Sequence, residues 1–94
     1  MAHAGQRRVL RYYGRVQGVG FRFTVRELAS GHPVSGYVRN MPDGSVELVV
    51  EGDTEEVDRL AADIDRAMGR FIRRVEIAEG PAQGGLSGFK IRYR

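Results

Sequence analysis

The sequence predicts an α+β fold of the split β-α-β (ferredoxin-like) class, β-α-β-β-α-β with a short extra C-terminal strand, on three observations. Apolar residues alternate with polar ones in several short stretches, they recur at helical spacing in two others, and each helical stretch follows a strand-like one. Elements in that order pack most simply as one antiparallel sheet ordered 4-1-3-2, with both helices covering one face.

Residues 1–6 carry no periodicity and read as a mobile N-terminal tail, leaving 7–94 as a single domain. From Arg7 to Val16 the chain alternates, with Leu10, Tyr12, Gly14 and Val16 on one face and Val9, Arg11, Tyr13 and Arg15 on the other. That is a half-buried first strand. Phe21, Val25, Leu28 and Ala29 follow at helical spacing, and Gly31 and Pro33 stop a first helix expected over about 22–30. Val34, Gly36 and Val38 alternate with Ser35, Tyr37 and Arg39 in a second strand ending at Asn40. The turn Met41-Pro42-Asp43-Gly44 leads into a third strand with Val46, Leu48 and Val50 inward. Asp53 is an expected N-cap with Glu56 three residues on, opening a second helix over about 54–68 whose apolar stripe is Val57, Leu60, Ala61, Ile64, Ala67 and Met68. Gly69 is expected to stop it. Phe71 to Glu79 reads as a strand with Val75 and Ile77 inward, the Gly80–Gly85 segment as a loop, and Phe89 to Tyr93 as the short final strand.

At 94 residues there is room for one small core and no second domain. No cysteine is present, so disulfides and thiolate metal sites are excluded, and packing alone must hold the fold. No apolar run approaches the ~20 residues of a membrane span, and the first residues lack the apolar centre of a signal peptide. A soluble cytoplasmic protein is expected, with no membrane partner. Fifteen basic residues, all but Lys90 arginine, against 12 acidic ones leave a net charge of +3, which suits anionic ligands without choosing among them.

The stretch that invites chemistry is Gly14-Arg15-Val16-Gln17-Gly18-Val19-Gly20-Phe21-Arg22. Gly18 and Gly20 permit backbone angles that turn successive amides to one side, and the helix behind them adds its free N–H groups and positive dipole end. The amides from Gln17 through Gly18, Val19 and Gly20 to Phe21 would then cradle an anion, with Arg22 adding a planar fork of donors. Taken alone, the stretch fits better a tight strand-to-helix connection with a solvated arginine. The helix dipole disfavours a cation at that end, which argues mildly that an anion sits there.

The stretch also resembles the signature of the acylphosphatase family, aliphatic-x-Gly-x-Val-Gln-Gly-Val-x-Phe-Arg. A second family pattern follows as Gly36-Tyr37-Val38-Arg39-Asn40, then Gly44-x-Val46, then Gly52, and Gly88 to Tyr93 resembles the family's last strand. Two departures are visible: Tyr12 stands where an aliphatic residue is usual, and Tyr37 takes an aromatic slot often filled by Trp. The resemblance implies hydrolysis of a small-molecule acyl phosphate, with Arg22 clamping the phosphoryl group and Asn40 positioning the attacking water. It implies no metal and no organic cofactor. By itself Asn40 reads as a strand-ending turn residue bonding its own backbone. In the predicted topology the cradle and Asn40 share one sheet edge, two strand spacings or roughly 10 Å apart.

Other polar residues have simpler explanations. His3 lies in the tail and His32 in the loop after the first helix; neither has a metal partner at ligand spacing, and both read as surface residues. Asp43 serves its turn. A nucleic-acid-binding reading of the same fold meets two outward glutamates, Glu47 and Glu51, on the central third strand, so no nucleic-acid partner is expected. A ligand sensor without turnover, or a relative of acylphosphatase-like domains in larger carbamoyl-phosphate-handling proteins, would share the anion site. Without a long apolar stripe outside the core, a monomer is expected.

Overall fold

The computed structural model describes residues 5–93. Five strands, β1 (Gln6–Gly14), β2 (Ser35–Asn40), β3 (Val46–Gly52), β4 (Ile72–Pro81) and β5 (Phe89–Arg92), form one sheet in the order β4-β1-β3-β2-β5. The first four pair antiparallel, as the alternation predicts, and β5 lies parallel to β2. Helix α1 (Phe21–Ala29) packs on β2 and β5, and α2 (Thr54–Met68) on β1 and β3. Leu10, Tyr12, Val38, Leu48 and Val50 from the sheet meet Phe21, Val25, Val57, Leu60 and Ile64 from the helices in a single core.

Placing both helices on one face follows from the stripe spacing: the buried residues of α2 are Val57, Leu60, Ile64 and Met68, a strip matching the width of two strands. Ala67 lies outside that strip and is exposed. The third strand is buried on both faces at its middle, because Val49 is flanked in register by Val9 and Tyr37 on the open side.

Several expectations are corrected. Gly5 and Gln6, read as tail, belong to the sheet: the Gly5 carbonyl accepts the Ala82 amide at 2.9 Å, and Gln6 pairs with Gly52 and Pro81. Neighbouring strands on both sides extend past the periodic stretch and recruit the chain through backbone bonds, which leave no mark on side-chain pattern. The rest of the expected tail, residues 1–4, lies outside the described residues. Ile77 shares a face with its partner Leu10, yet it stands on an edge strand and remains 56% exposed. Asp53 occupies the N-cap of α2 but makes no side-chain capping bond, and Glu56 turns instead to His32 and Arg59. Gly69 ends α2 as expected, standing at its C-cap, and a single turn of 3-10 helix follows over Gly69–Phe71. At Gly36 a Cβ would lie 2.0 Å from the Val49 carbonyl oxygen, so glycine there allows the close approach of β2 to β3.

His32 is not a surface residue. Its Nδ1 lies 3.1 Å from Glu56 Oε1 and its Nε2 2.8 Å from Asp63 Oδ2, joining the loop after α1 to α2. Carboxylates only accept, so both bonds form together only when the ring carries both protons. The Asp63 and Glu56 bonds accordingly raise the imidazole pKa above its ordinary value, burial opposing them.

Candidate functional site

The residues from Arg15 to Gly20 carry the chain from the end of β1 to the start of α1. Gly18 (φ 78°) and Gly20 (φ 76°) both lie in the left-handed region, with open space where a Cβ would project. Conformation, not crowding, therefore calls for glycine at both positions. Val19 packs against the core between them, and Phe21 is buried against Tyr12 with ring centroids 5.1 Å apart. These two apolar anchors hold the turn from below while its amides stay at the surface.

The N-terminus of α1 is left electrically uncompensated. Gly20 supplies no side-chain cap, and the first turn contains no acidic residue. Thr24 donates its amide to the Gly20 carbonyl at 3.0 Å, so the three helical amides before it precede the first intrahelical bond. Arg22 stands in that first turn, half-buried. Among the described residues no carboxylate pairs with it, whereas Arg7, Arg8, Arg11, Arg39, Arg59, Arg66 and Arg74 all have acidic partners. Its Cζ lies 4.8 Å from the centroid of the Tyr93 ring.

Asn40 is the last residue of β2 and faces the same edge of the sheet as the turn. The link between them is Gln17, whose Nε2 donates to the Met41 and Ser45 carbonyls at 2.9 Å each. That side chain ties the turn to the β2–β3 hairpin immediately beyond Asn40. The hairpin is itself braced: Asp43 Oδ1 accepts the Ser45 amide at 3.0 Å and its hydroxyl at 2.5 Å. Those two bonds hold the Asp43 carboxyl below its ordinary pKa and account for this residue as a turn former. Asn40 also lines an open cleft of about 580 Å³ with Arg39, Met41, Pro42 and Tyr93.

The structure thus gathers Gln17 to Arg22 and Asn40 at one edge, and adds two features that motif reading passes over. The Gln17 side chain is a brace as well as a bearer of an amide, a role visible only once the hairpin lies beside it. Tyr93 sits in the closing stretch Gly88 to Tyr93, and its place at the site depends on the pairing of β5. No group of His, Asp and Glu suited to a metal occurs among the described residues. No helix among them is long and apolar enough to cross a membrane.

Comparison with known proteins identifies relatives of the whole chain. The family model described as Acylphosphatase matches residues 8–91. An acylphosphatase of Rubrobacter xylanophilus is 45% identical over 95 residues, covering 98% of this chain and 86% of the relative. One from Thermococcus kodakarensis is 49% identical over 84 residues, covering 87% of this chain and 90% of the relative. The crystal structure of acylphosphatase from Bacillus subtilis superposes with a TM-score of 0.83 at 30% identity, covering 95% of this chain and 99% of that one. With a family model spanning most of its length and relatives of nearly half identity at matching length, the chain belongs to the acylphosphatase family.

Proposed function

We propose that the chain hydrolyses the carboxyl-phosphate bond of small acyl phosphates, releasing a carboxylate and inorganic phosphate. The observation that carries this reading is the uncapped, acid-free N-terminus of α1 with Arg22 beside it, free of any carboxylate among the described residues, on the sheet edge that also holds Asn40. An acyl phosphate is a mixed anhydride whose leaving group is already stable as an anion, so the reaction needs no strong general acid. It needs the phosphoryl oxygens held and a water aligned, because a loose transition state responds mainly to positioning and to charge.

Arg22 and the amides from Gln17 to Phe21 hold the phosphoryl group in this reading. Amides fixed by Gly18 and Gly20 require no reorientation as charge shifts during transfer, so their stabilisation carries no reorganisation cost. The Asn40 carbonyl accepts a hydrogen bond from the water and turns an oxygen lone pair towards phosphorus, without setting a second anion beside the phosphate as an aspartate would. The water oxygen bonds to phosphorus, the bridging O–P bond breaks with its electrons on the carboxylate, and the water proton passes to phosphate or solvent. The side chain and the amides supply the positive charge, and the scheme calls on no metal or organic cofactor.

The test is release of carboxylate from benzoyl phosphate and acetyl phosphate in the presence of a chelator. Arg22→Ala and Asn40→Ala should each lower kcat/KM by about 10²–10³-fold, the usual cost of one preorganised group, with circular dichroism unchanged. Phosphate binding by wild type without acceleration of hydrolysis over buffer would replace the hydrolase with a ligand sensor.

A further inference from the structure

We propose that Tyr93 is the positioning residue for Arg22, and that β5 serves this fold by placing it there. The inference rests on the reading of Arg22 as a phosphoryl clamp and adds what holds that clamp ready.

An arginine near the surface has many rotamers, and freezing one on ligand arrival costs affinity. Arg22 has no carboxylate partner among the described residues, and a carboxylate would be a poor solution. It would occupy the donors meant for a phosphoryl group and cancel the charge. An aromatic ring orients a guanidinium differently, by meeting its flat face and leaving the rim of N–H groups free. Arg22 Cζ lies over the Tyr93 ring, 4.8 Å from its centroid. Arg92 and Arg39 do not offer themselves in the same way, because both lie against the Tyr37 ring, at 3.8 and 5.9 Å.

The placement of Tyr93 follows from β5. Phe89 and Ile91 alternate on the strand and pack against the core, so the next residue of that series, Tyr93, falls on the helix side of the sheet beneath α1. The strand runs parallel to β2 with Arg92 level with Arg39, which sets Tyr93 level with Asn40 at the neighbouring strand end. Tyr93 accordingly lines the cleft with Asn40, and its ring faces Arg22. One residue thus borders the cleft that Asn40 lines and lies against Arg22. It is 73% exposed, so its ring contributes little to the core that its own strand helps to close.

The experiment compares Tyr93→Phe and Tyr93→Leu in the full chain, each alone and combined with Arg22→Ala. Kinetics on benzoyl phosphate are read beside calorimetric titration with inorganic phosphate. Tyr93→Leu should raise KM and the phosphate Kd by about 3- to 10-fold, the range of one partly exposed cation–π contact plus lost preorganisation, with kcat less affected. Tyr93→Phe should restore both, because the ring and not the hydroxyl faces Arg22. In the Arg22→Ala background Tyr93→Leu should change neither. Unchanged phosphate affinity in Tyr93→Leu, a loss that persists without Arg22, or failure of Phe to rescue would each overturn the assignment. If wild type binds phosphate yet does not turn over benzoyl phosphate, the proposed reaction falls, while the titrations still decide the role of Tyr93.

Discussion

Replacing Tyr12 with Phe removes one oxygen atom that has no hydrogen-bond partner among the described residues. The Tyr12 side chain is only 1% exposed, and its hydroxyl is buried without a hydrogen bond. In the unfolded chain the same hydroxyl bonds water, so folding strips it at a cost of about 1–3 kcal/mol that nothing repays. The ring itself packs well, 5.1 Å from Phe21, and Phe keeps that contact. Tyr12→Phe should therefore stabilise the domain by about 1–2 kcal/mol at pH 7, raising Tm by about 4–8 °C per kcal/mol at this chain length. A second signature follows from ionisation. Burial, then the Asp65 carboxylate, push the phenol pKa well above its ordinary 10.0, with Arg8 opposing them. Above pH 10 the unfolded phenol ionises while the folded one stays neutral, so wild type loses stability through this residue as pH rises and the variant does not. The gap between the two proteins should widen from pH 7 to pH 11. Urea unfolding at both pH values measures it. A variant less stable than wild type by about 1 kcal/mol or more at pH 7 would show that the hydroxyl has a partner, and the reasoning would fail.

Three further outcomes are expected. The folded pKa of His32 lies above its ordinary value, so its two carboxylate bonds stabilise fully below about pH 6.5 and fade as pH climbs through the folded value. His32→Gln should cost about 2 kcal/mol in urea unfolding at pH 5.5 and distinctly less at pH 9, and an equal cost at both would sink the idea. Glu51 accepts the Gln83 and Gly84 amides at 3.0 Å each and Arg7 at 2.7 Å; burial pushes its carboxyl up, but these partners prevail and hold it below the ordinary 4.5. Its contribution is complete above that value and is lost as pH falls through the lower folded one, so Glu51→Gln should remove about 2 kcal/mol at pH 7, flatten the acid limb of the stability curve and expose the segment after β4 to proteases. Gln17→Ala deletes two bonds to hairpin carbonyls, and kcat/KM for benzoyl phosphate should fall about tenfold with a stability loss of about 1 kcal/mol; unchanged activity would mean that the turn and the Asn40 hairpin hold their spacing without it.

Much of this protein is determined by the sequence on its own, because the signals are local. Alternation and helical spacing place both helices and all five strands to within a residue or two, and Gly18 and Gly20 mark positive backbone angles that only local sterics decide. The stretch from Gly14 to Arg22 and the run ending at Asn40 mark the candidate site through their joint resemblance to the family's two signatures, since each alone reads as a connection or a turn. What the tertiary structure alone decides is contact across the sheet and between layers. Gln6 joins a strand because β3 and β4 reach beyond the periodic stretch, and Ile77 is exposed because an edge has a neighbour on one side only. Glu56 serves His32 rather than a helix cap because the loop after α1 crosses α2 at that point. Tyr93 meets Arg22 and lines the Asn40 cleft because β5 pairs parallel with β2, a choice of sheet edge made by the packing of Phe89 and Ile91 against the core. Periodicity records which face of an element is apolar, whereas neighbours distant in the chain are chosen by packing the whole, and so they are read only from the fold.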